Sequence, residues 1–167
     1  MMYLLDANVL IDANRDYYPV DSVPEFWNWL SFHGSNGTIK IPIEIFEEVK
    51  RGDDGLSKWA KNEEVERALL LDEEVDIGCV RSVINVGYAQ DITDDELEKL
   101  GRDPFLVAYA LCDSINRCVV TTEVSKPRKT RANRHLPDVC SALDVRWCHT
   151  FELTRVLEFR TDWQDHT

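Results

Sequence analysis

Four acidic residues stand where a predicted strand ends or a predicted helix begins. Asp6 and Glu123 each follow a short apolar run that is typical of a buried parallel strand. Glu48 lies in the first turns of a helix after a second strand, and Asp103 opens a helix, where the helix dipole favours a carboxylate. Sites in open parallel sheets lie beyond the carboxyl ends of the strands. We therefore expect the four acids to lie together at that end.

Four carboxylates at one place repel one another strongly unless cations bind between them. Carboxylates and water are the ligands that Mg²⁺ and Mn²⁺ prefer. A pair of such ions can activate a water molecule and stabilise the leaving oxygen in phosphodiester cleavage. The placement predicts a Mg²⁺ or Mn²⁺ site with hydrolase chemistry.

Each acid also has a simpler interpretation. Asp103 precedes Pro104 and could serve only as a helix N-cap. Asp6 and Glu123 could be solvated turn residues, and Glu48 could belong to an acidic surface face of its helix. The metal hypothesis depends on their joint placement rather than on any one residue.

The elements that would position these acids alternate between strands and helices. Such alternation predicts an α/β fold, a three-layer α/β/α sandwich around a central, mainly parallel sheet of four or five strands. Residues 1–167 are expected to form a single domain. The predicted strands are 3–5, 39–43, 118–122 and 145–148, with a further short strand possible at 69–71. The predicted helices begin near 24, 43, 55, 93 and 103, the fourth with a capping box from Thr93 and Glu96.

Composition indicates a globular protein without a membrane span, since 44% of residues are hydrophobic and 30% charged. The apolar start of the chain meets Asp6 too early for a signal peptide, so we expect a cytoplasmic protein. The cysteines form no CxxC pair and are expected mostly as small core residues of a reducing compartment. A zinc site would best involve Cys148 and His149 with Cys140 nearby.

The order of these motifs resembles the PIN-domain ribonuclease family, which includes the VapC toxins. Residues 4–12 (LLDANVLID) are similar to the family's opening strand, and 103–110 (DPFLVAYA) to its third motif. Residues 41–52 (IPIEIFEEVKRG) resemble the second motif, whose offset from the glycine selects Glu48. Residues 119–123 (VVTTE) take the place of the fourth, where the family usually carries Asp. The resemblance runs over most of the chain and lies closest to a PIN-like subgroup of mostly uncharacterised prokaryotic proteins.

The resemblance implies a metal-dependent endoribonuclease that leaves a 3′-hydroxyl and a 5′-phosphate. Asp6, Glu48 and Asp103 would hold the first cation and orient the attacking water. Glu123 would hold a second cation or order water near the leaving group, with Asp138 as its competitor for this role.

Polar neighbours of the acids are expected to support them. Asn8 would hydrogen-bond the carboxylates through its neutral amide, unless it is only a turn residue. Thr121 and Thr122 would help in the same way or simply occupy β positions. The same resemblance implies an RNA substrate, with an antitoxin protein and a homodimer as further possible partners.

Two other interpretations of the sequence are open. The domain could be a catalytically inactive PIN-like module that binds protein or RNA. A dehalogenase-like hydrolase also places Asp at the end of its first strand, but it needs a second Asp two residues later, where this chain has Asn8.

A net charge of −12 argues against binding nucleic acid by overall charge. The exception is the stretch 125–135, which follows Glu123 and should emerge at the catalytic end as a mobile loop. It is either a solvated or internally paired charge run, or a grip on the RNA backbone. Its five basic residues, of 19 in the chain, are Lys126, Arg128, Lys129, Arg131 and Arg134.

Overall fold

Four parallel strands form the central sheet of the computed structural model, which describes residues 1–166. The strands are β1 (Met2–Leu5), β2 (Ile39–Lys40), β3 (Arg117–Thr121) and β4 (Arg146–His149). They lie in the order β2-β1-β3-β4, with β1 paired to β3 from Met2↔Arg117 to Leu5↔Val120. The predicted parallel sheet is confirmed, with four strands.

The second strand is shorter than the predicted span 39–43. Pro42 is the N-cap of the following helix, so the chain leaves the sheet there. Ile41 still forms an isolated parallel bridge with Leu70. The possible strand at 69–71 is therefore reduced to one bridge at the end of a helix.

Helices cover both faces of the sheet. Those that residues 1–166 contain are α1 (Ala7–Asp12), α2 (Pro24–Ser35), α3 (Ile43–Lys50), α4 (Gly55–Ala60), α5 (Glu63–Leu69), α6 (Ile77–Ser82), α7 (Asp94–Leu100), α8 (Asp103–Leu111), α9 (Leu136–Ala142) and α10 (Thr150–Val156). π-Helical turns extend α1 through Ala13–Tyr17 and α6 through Val83–Tyr88. The capping box of Thr93 and Glu96 opens α7 as predicted.

Three layers result from this arrangement, as the sequence predicted. Helices α8 and α9 pack against each other. Helix α8 lies on β1 and β3, and α9 lies on β3 and β4. Helix α2 contacts β2, and α10 contacts β3 and β4. Helix α8 is apolar all round because it lies in the interior, with Leu106, Val107 and Ala110 fully buried. No helix within residues 1–166 has the length and apolar character that crossing a membrane requires.

At the amino end of the sheet, Arg117 balances its charge within the protein. Its guanidinium donates to the Tyr109 carbonyl at 3.0 Å and to both carboxylate oxygens of Glu73 at 2.7 and 2.8 Å. The Arg117 side chain is only 12% exposed. The pairing ties β3 to the end of α8 and to the loop that follows α5.

Two cysteines differ from the expectation that the cysteines fill the core. Cys79 on α6 and Cys112, the C-cap of α8, form a disulfide close to the surface. Cys118, Cys140 and Cys148 are buried free thiols, as expected. No sequence motif indicates the disulfide, because its two cysteines are 33 residues apart.

Candidate metal-binding site

The four predicted acids lie close enough to interact electrostatically at the carboxyl end of the sheet. The strand order reverses direction between β1 and β3, the place where open parallel sheets leave a crevice for ligands. Asp6 follows β1, and Glu123 lies just beyond β3. Helix α8 leads back into β3, so its first residue, Asp103, lies at the same end.

Asp6 is the buried centre of the group, with only 2% of its surface exposed. Burial raises the pKa of its carboxyl from 3.8 to about 6, and the charges of Glu123 and Glu48 add to the rise. Two contacts oppose it: the Thr121 hydroxyl donates to Asp6 Oδ2 at 2.9 Å, and the Asn8 backbone N–H faces the carboxylate. Asp6 is therefore a desolvated carboxylate fixed in orientation from the end of β3.

Asp103 is electrostatically coupled to the same group. Burial is the main reason that the pKa of its carboxyl lies well above 3.8. The charges of Asp6, Glu123 and Glu48 raise this pKa further. It occupies the first turn of α8, whereas Arg102 is the N-cap, so the interpretation of Asp103 as a cap is wrong. A capping role does not explain its position.

Glu48 is the acid of α3 whose charge reaches Asp6 and Asp103. Its neighbour Glu47 instead accepts a hydrogen bond from Lys50 at 3.2 Å. Helix periodicity accounts for the difference, because Glu48 lies on another side of α3 from Glu47. The structure therefore places the exposed Glu48 beside the buried pair.

Glu123 and Asp138 take different positions. Glu123 acts on Asp6 and Asp103, and its Oε2 accepts the Leu136 N–H at 2.7 Å. Asp138 accepts from the Ser125 hydroxyl at 2.5 Å and from the Lys126 N–H at 2.7 Å. Burial alone would raise the pKa of Asp138, but these hydrogen bonds outweigh it and lower the pKa. Asp138 thus anchors the basic stretch, while Glu123 faces the acid cluster.

The four acids are more widely spread than ligands already gathered around one ion. Within residues 1–166, the only three metal-ligating side chains whose ligand atoms all lie within 4.8 Å of one another are Asp76, Cys79 and Cys112. That trio contains both disulfide sulfurs, which are poor metal ligands. Binding a cation between Asp6 and Asp103 would draw the carboxylates of the cluster together.

Two of the predicted supporting residues act differently from the expectation. Thr122 donates to Asp12 at 2.7 Å rather than to a member of the cluster, because consecutive residues at a strand end face opposite sides. Asn8 is exposed, and no hydrogen bond joins its side-chain amide to a carboxylate within residues 1–166. Its backbone, not its amide, serves Asp6.

The predicted basic loop divides into a fixed part and a free part. Arg131 pairs with Asp91 and Glu96, each at 2.7 Å, and Arg134 donates to the Gly87 and Asp138 carbonyls. The exposed residues Lys126, Arg128 and Lys129 have no side-chain partner in the part of the chain that the structure describes. Only these three cations remain available to a ligand.

Two further residues border the cluster without having been predicted. Tyr88 is 7% exposed, and burial followed by the charge of Asp103 raises its pKa, so its phenol stays neutral. Its hydroxyl has no hydrogen-bond partner in the described chain. His135 Nδ1 lies 3.7 Å from Glu123 Oε2. No sequence pattern indicated that either residue lies near the cluster, since Tyr88 falls in a π-helical turn and His135 among the basic residues.

The zinc alternative fails on geometry. A side-chain hydrogen bond joins Cys148 to Cys118, and His149 Nδ1 accepts the Phe151 N–H at 3.3 Å. Cys140 is fully buried beneath the acid cluster, where burial raises its pKa. Within residues 1–166, these side chains do not gather as metal ligands.

The fold and site define an α/β sandwich with an acidic cluster at its topological switch point. Residues 3–161 match the family model described as Domain of unknown function (DUF4411), and the chain belongs to this family. No curated protein and no solved structure matches the chain.

Proposed function

We propose that this protein is a Mg²⁺- or Mn²⁺-dependent endoribonuclease of the PIN type. The observation that carries the proposal is the mutual electrostatic strain of the cluster: Asp6 and Asp103 are desolvated, and Glu48 and Glu123 raise the pKa of both. Perturbed carboxylates in a crevice are characteristic of functional sites. A structural role would not require like charges to face one another.

The residues fit a hard divalent cation. The cluster offers carboxylate oxygens, which suit Mg²⁺ and Mn²⁺, and no thiolate that would favour zinc or copper. Asp6, Asp103 and Glu48 would hold the first cation, and Glu123 a second. Bound there, the metal supplies Lewis acidity for hydrolysis of a phosphodiester.

The chain's own residues have positioning roles in this proposal. Thr121 fixes the orientation of the Asp6 carboxylate through its hydrogen bond to Oδ2. The Thr121 hydroxyl also accepts the Glu123 N–H at 3.1 Å, so one side chain orients two acids. Lys126, Arg128 and Lys129 would hold the phosphate backbone of a flexible RNA strand beside the cluster.

Partners and compartment follow from the same proposal. An RNA substrate, an antitoxin protein, a homodimer and a cytoplasmic location are all proposals that rest on the resemblance to PIN toxins. The competing proposal is an inactive module that binds RNA or protein. The spacing of the acids, wider than that of assembled ligands, is the observation in its favour.

Cleavage of single-stranded RNA with Mn²⁺, with Mg²⁺ and with a chelator separates the two. We expect cleavage only with the divalent ion, and 5′-phosphate ends on the products. Asp6→Asn should reduce the rate more than about 100-fold, beyond the loss typical of an outer-shell partner. Asp72→Asn, at an exposed loop residue, is the matched control. Metal-independent cleavage, or full activity of Asp6→Asn, contradicts the proposal, and RNA binding without cleavage favours the inactive module.

A further inference from the structure

A pocket of about 180 Å³ lies beside the acid cluster, between the ends of β3 and β4 and the end of α1. Thr122 and His149 line it from the sheet, and Asp12 and Tyr17 line it from α1 and its π-helical extension. The cluster acids Asp6, Glu48, Asp103 and Glu123 do not line it. It is a separate concavity at the same end of the molecule.

The pocket and the cluster share one segment of chain. Thr121 donates to Asp6, whereas Thr122 donates to Asp12 in the pocket wall. Consecutive Cα atoms are about 3.8 Å apart, so the two sites lie on opposite sides of a single stretch of backbone. The cluster and the pocket therefore adjoin the same strand end, one residue apart along the chain.

Aromatic rings form one side of the pocket. Tyr17 is 51% exposed, and its ring meets the edge of Phe151 with centroids 5.1 Å apart. The His149 ring lies 5.4 Å from Phe151. Unpaired nucleic-acid bases stack on such rings whatever their sequence.

The polar groups of the pocket suit the edge of a base. His149 Nδ1 accepts the Phe151 N–H, so the neutral ring carries its proton on Nε2 as a donor. Thr150 is a lining residue of the pocket, although its buried hydroxyl has no hydrogen-bond partner within residues 1–166. The carboxylate of Asp12 adds acceptor oxygens.

Charge and size argue against a phosphate or a whole nucleotide. Arg15 pairs with both Asp12 and Asp16, at 2.8 and 2.6 Å, which leaves one net negative charge on the pocket wall. An anion would be repelled, whereas a neutral ring bearing amino groups would be accepted. The volume is below the roughly 300 Å³ at which pockets for drug-sized ligands begin, so it suits one ring system.

We propose that this pocket binds one unpaired nucleobase of the RNA, next to the phosphate held at the acid cluster. The inference rests on the proposed ribonuclease function and adds to it a subsite that fixes the register of the strand. Tyr17 supplies the stacking face, and His149 contacts the edge of the base.

Short single-stranded RNAs carrying 2-aminopurine at one position each test the inference, because stacking quenches the fluorescence of this base. Binding is measured with the Asp6→Asn variant in Mg²⁺, so that the RNA stays intact. We expect strong quenching that Tyr17→Ala removes. Tyr17→Ala should weaken binding of the RNA about 10-fold, within the range of losing one base–aromatic stack. Tyr17→Phe should keep the affinity, and Phe32→Ala, an exposed ring elsewhere, is the matched control.

The outcomes separate this inference from the proposed function. Absence of quenching, or no effect of Tyr17→Ala, overturns the pocket even if the wild-type protein cleaves RNA. Quenching that Tyr17→Ala removes, without cleavage by the wild-type protein, supports the pocket and overturns the nuclease. The nucleobase assignment is overturned if the protein binds none of the RNAs. It is also overturned if Tyr17→Ala weakens binding of a protein ligand but not of RNA.

Discussion

Replacing Asp6 by Asn should stabilise the metal-free protein at neutral pH. The Asp6 pKa of about 6, against 3.8 in an unfolded chain, corresponds to about 3 kcal/mol of unfolding free energy lost at pH 7. Asn has nearly the same shape and can still accept the Thr121 hydrogen bond, so packing is preserved. The substitution removes the buried charge and with it most of that loss.

The sign of this effect gives it a pH signature. Because the folded-state pKa is raised, the native protein binds the proton more tightly than the unfolded chain. Below about pH 4 Asp6 is protonated in both states and costs nothing, and the loss grows between pH 4 and 6 as the unfolded chain ionises first. The stabilities of wild type and variant should therefore nearly coincide at pH 4 and diverge by about 3 kcal/mol at pH 7.

Divalent metal should close most of the stability difference between the two proteins. A cation that binds only the folded protein at 100 times its dissociation constant stabilises it by about 2.7 kcal/mol. The wild type should gain this amount in Mn²⁺, and Asp6→Asn should gain much less because it has lost a ligand.

Urea denaturation at several pH values, with a chelator and with Mn²⁺, measures all of these quantities. The control Asp72→Asn should stay within about 0.5 kcal/mol of wild type, as surface changes usually do. A lower stability of Asp6→Asn than of wild type at pH 7 without metal would contradict a desolvation cost at Asp6. A stability difference between the two proteins that does not change with pH would contradict it as well.

Three other changes test separate parts of the structure. Glu123→Gln should lower Mn²⁺ affinity and RNA cleavage more than Asp138→Asn, because only Glu123 acts on the buried acids; a larger loss with Asp138→Asn would reverse the assignment. Replacing Arg128 and Lys129 together by Ala should weaken RNA binding and reduce its salt slope by about 2 without altering Mn²⁺ affinity; an unchanged slope would exclude them. Cys112→Ser should lower oxidised-state stability by about 3 to 4 kcal/mol, as expected for a loop of this length, and a matching loss under reductant would contradict a disulfide effect.

The parts of the fold that followed from sequence are those set by local pattern. The apolar run that ends at Asp6 is a buried strand, and the apolar segment after Asp103 is an interior helix. The proximity of Asp6 and Asp103 then follows from the rule that parallel strands share one carboxyl end. Local pattern and one topological rule were enough to place the candidate site.

The remaining features depend on contacts between distant parts of the chain. Sequence could not show that Thr121 and Thr122 serve different acids, because this depends on which way the strand end is turned. Sequence also could not distinguish the roles of Arg131 and Arg128. Arg131 is neutralised by Glu96 of α7, whereas Arg128 is exposed. The Cys79–Cys112 bond was hidden for the same reason.

Charges are paired at one end of the sheet and repel one another at the other end, and this difference affects where the protein unfolds locally. Arg117 is neutralised by Glu73 at one end, while like charges crowd around Asp6 at the other. Local opening requires least free energy where native interactions are weakest. Backbone amides around Thr121 should therefore exchange hydrogen faster than those around Arg117 in the same strand. Strand β3 would then open more readily at its carboxyl end than at its amino end.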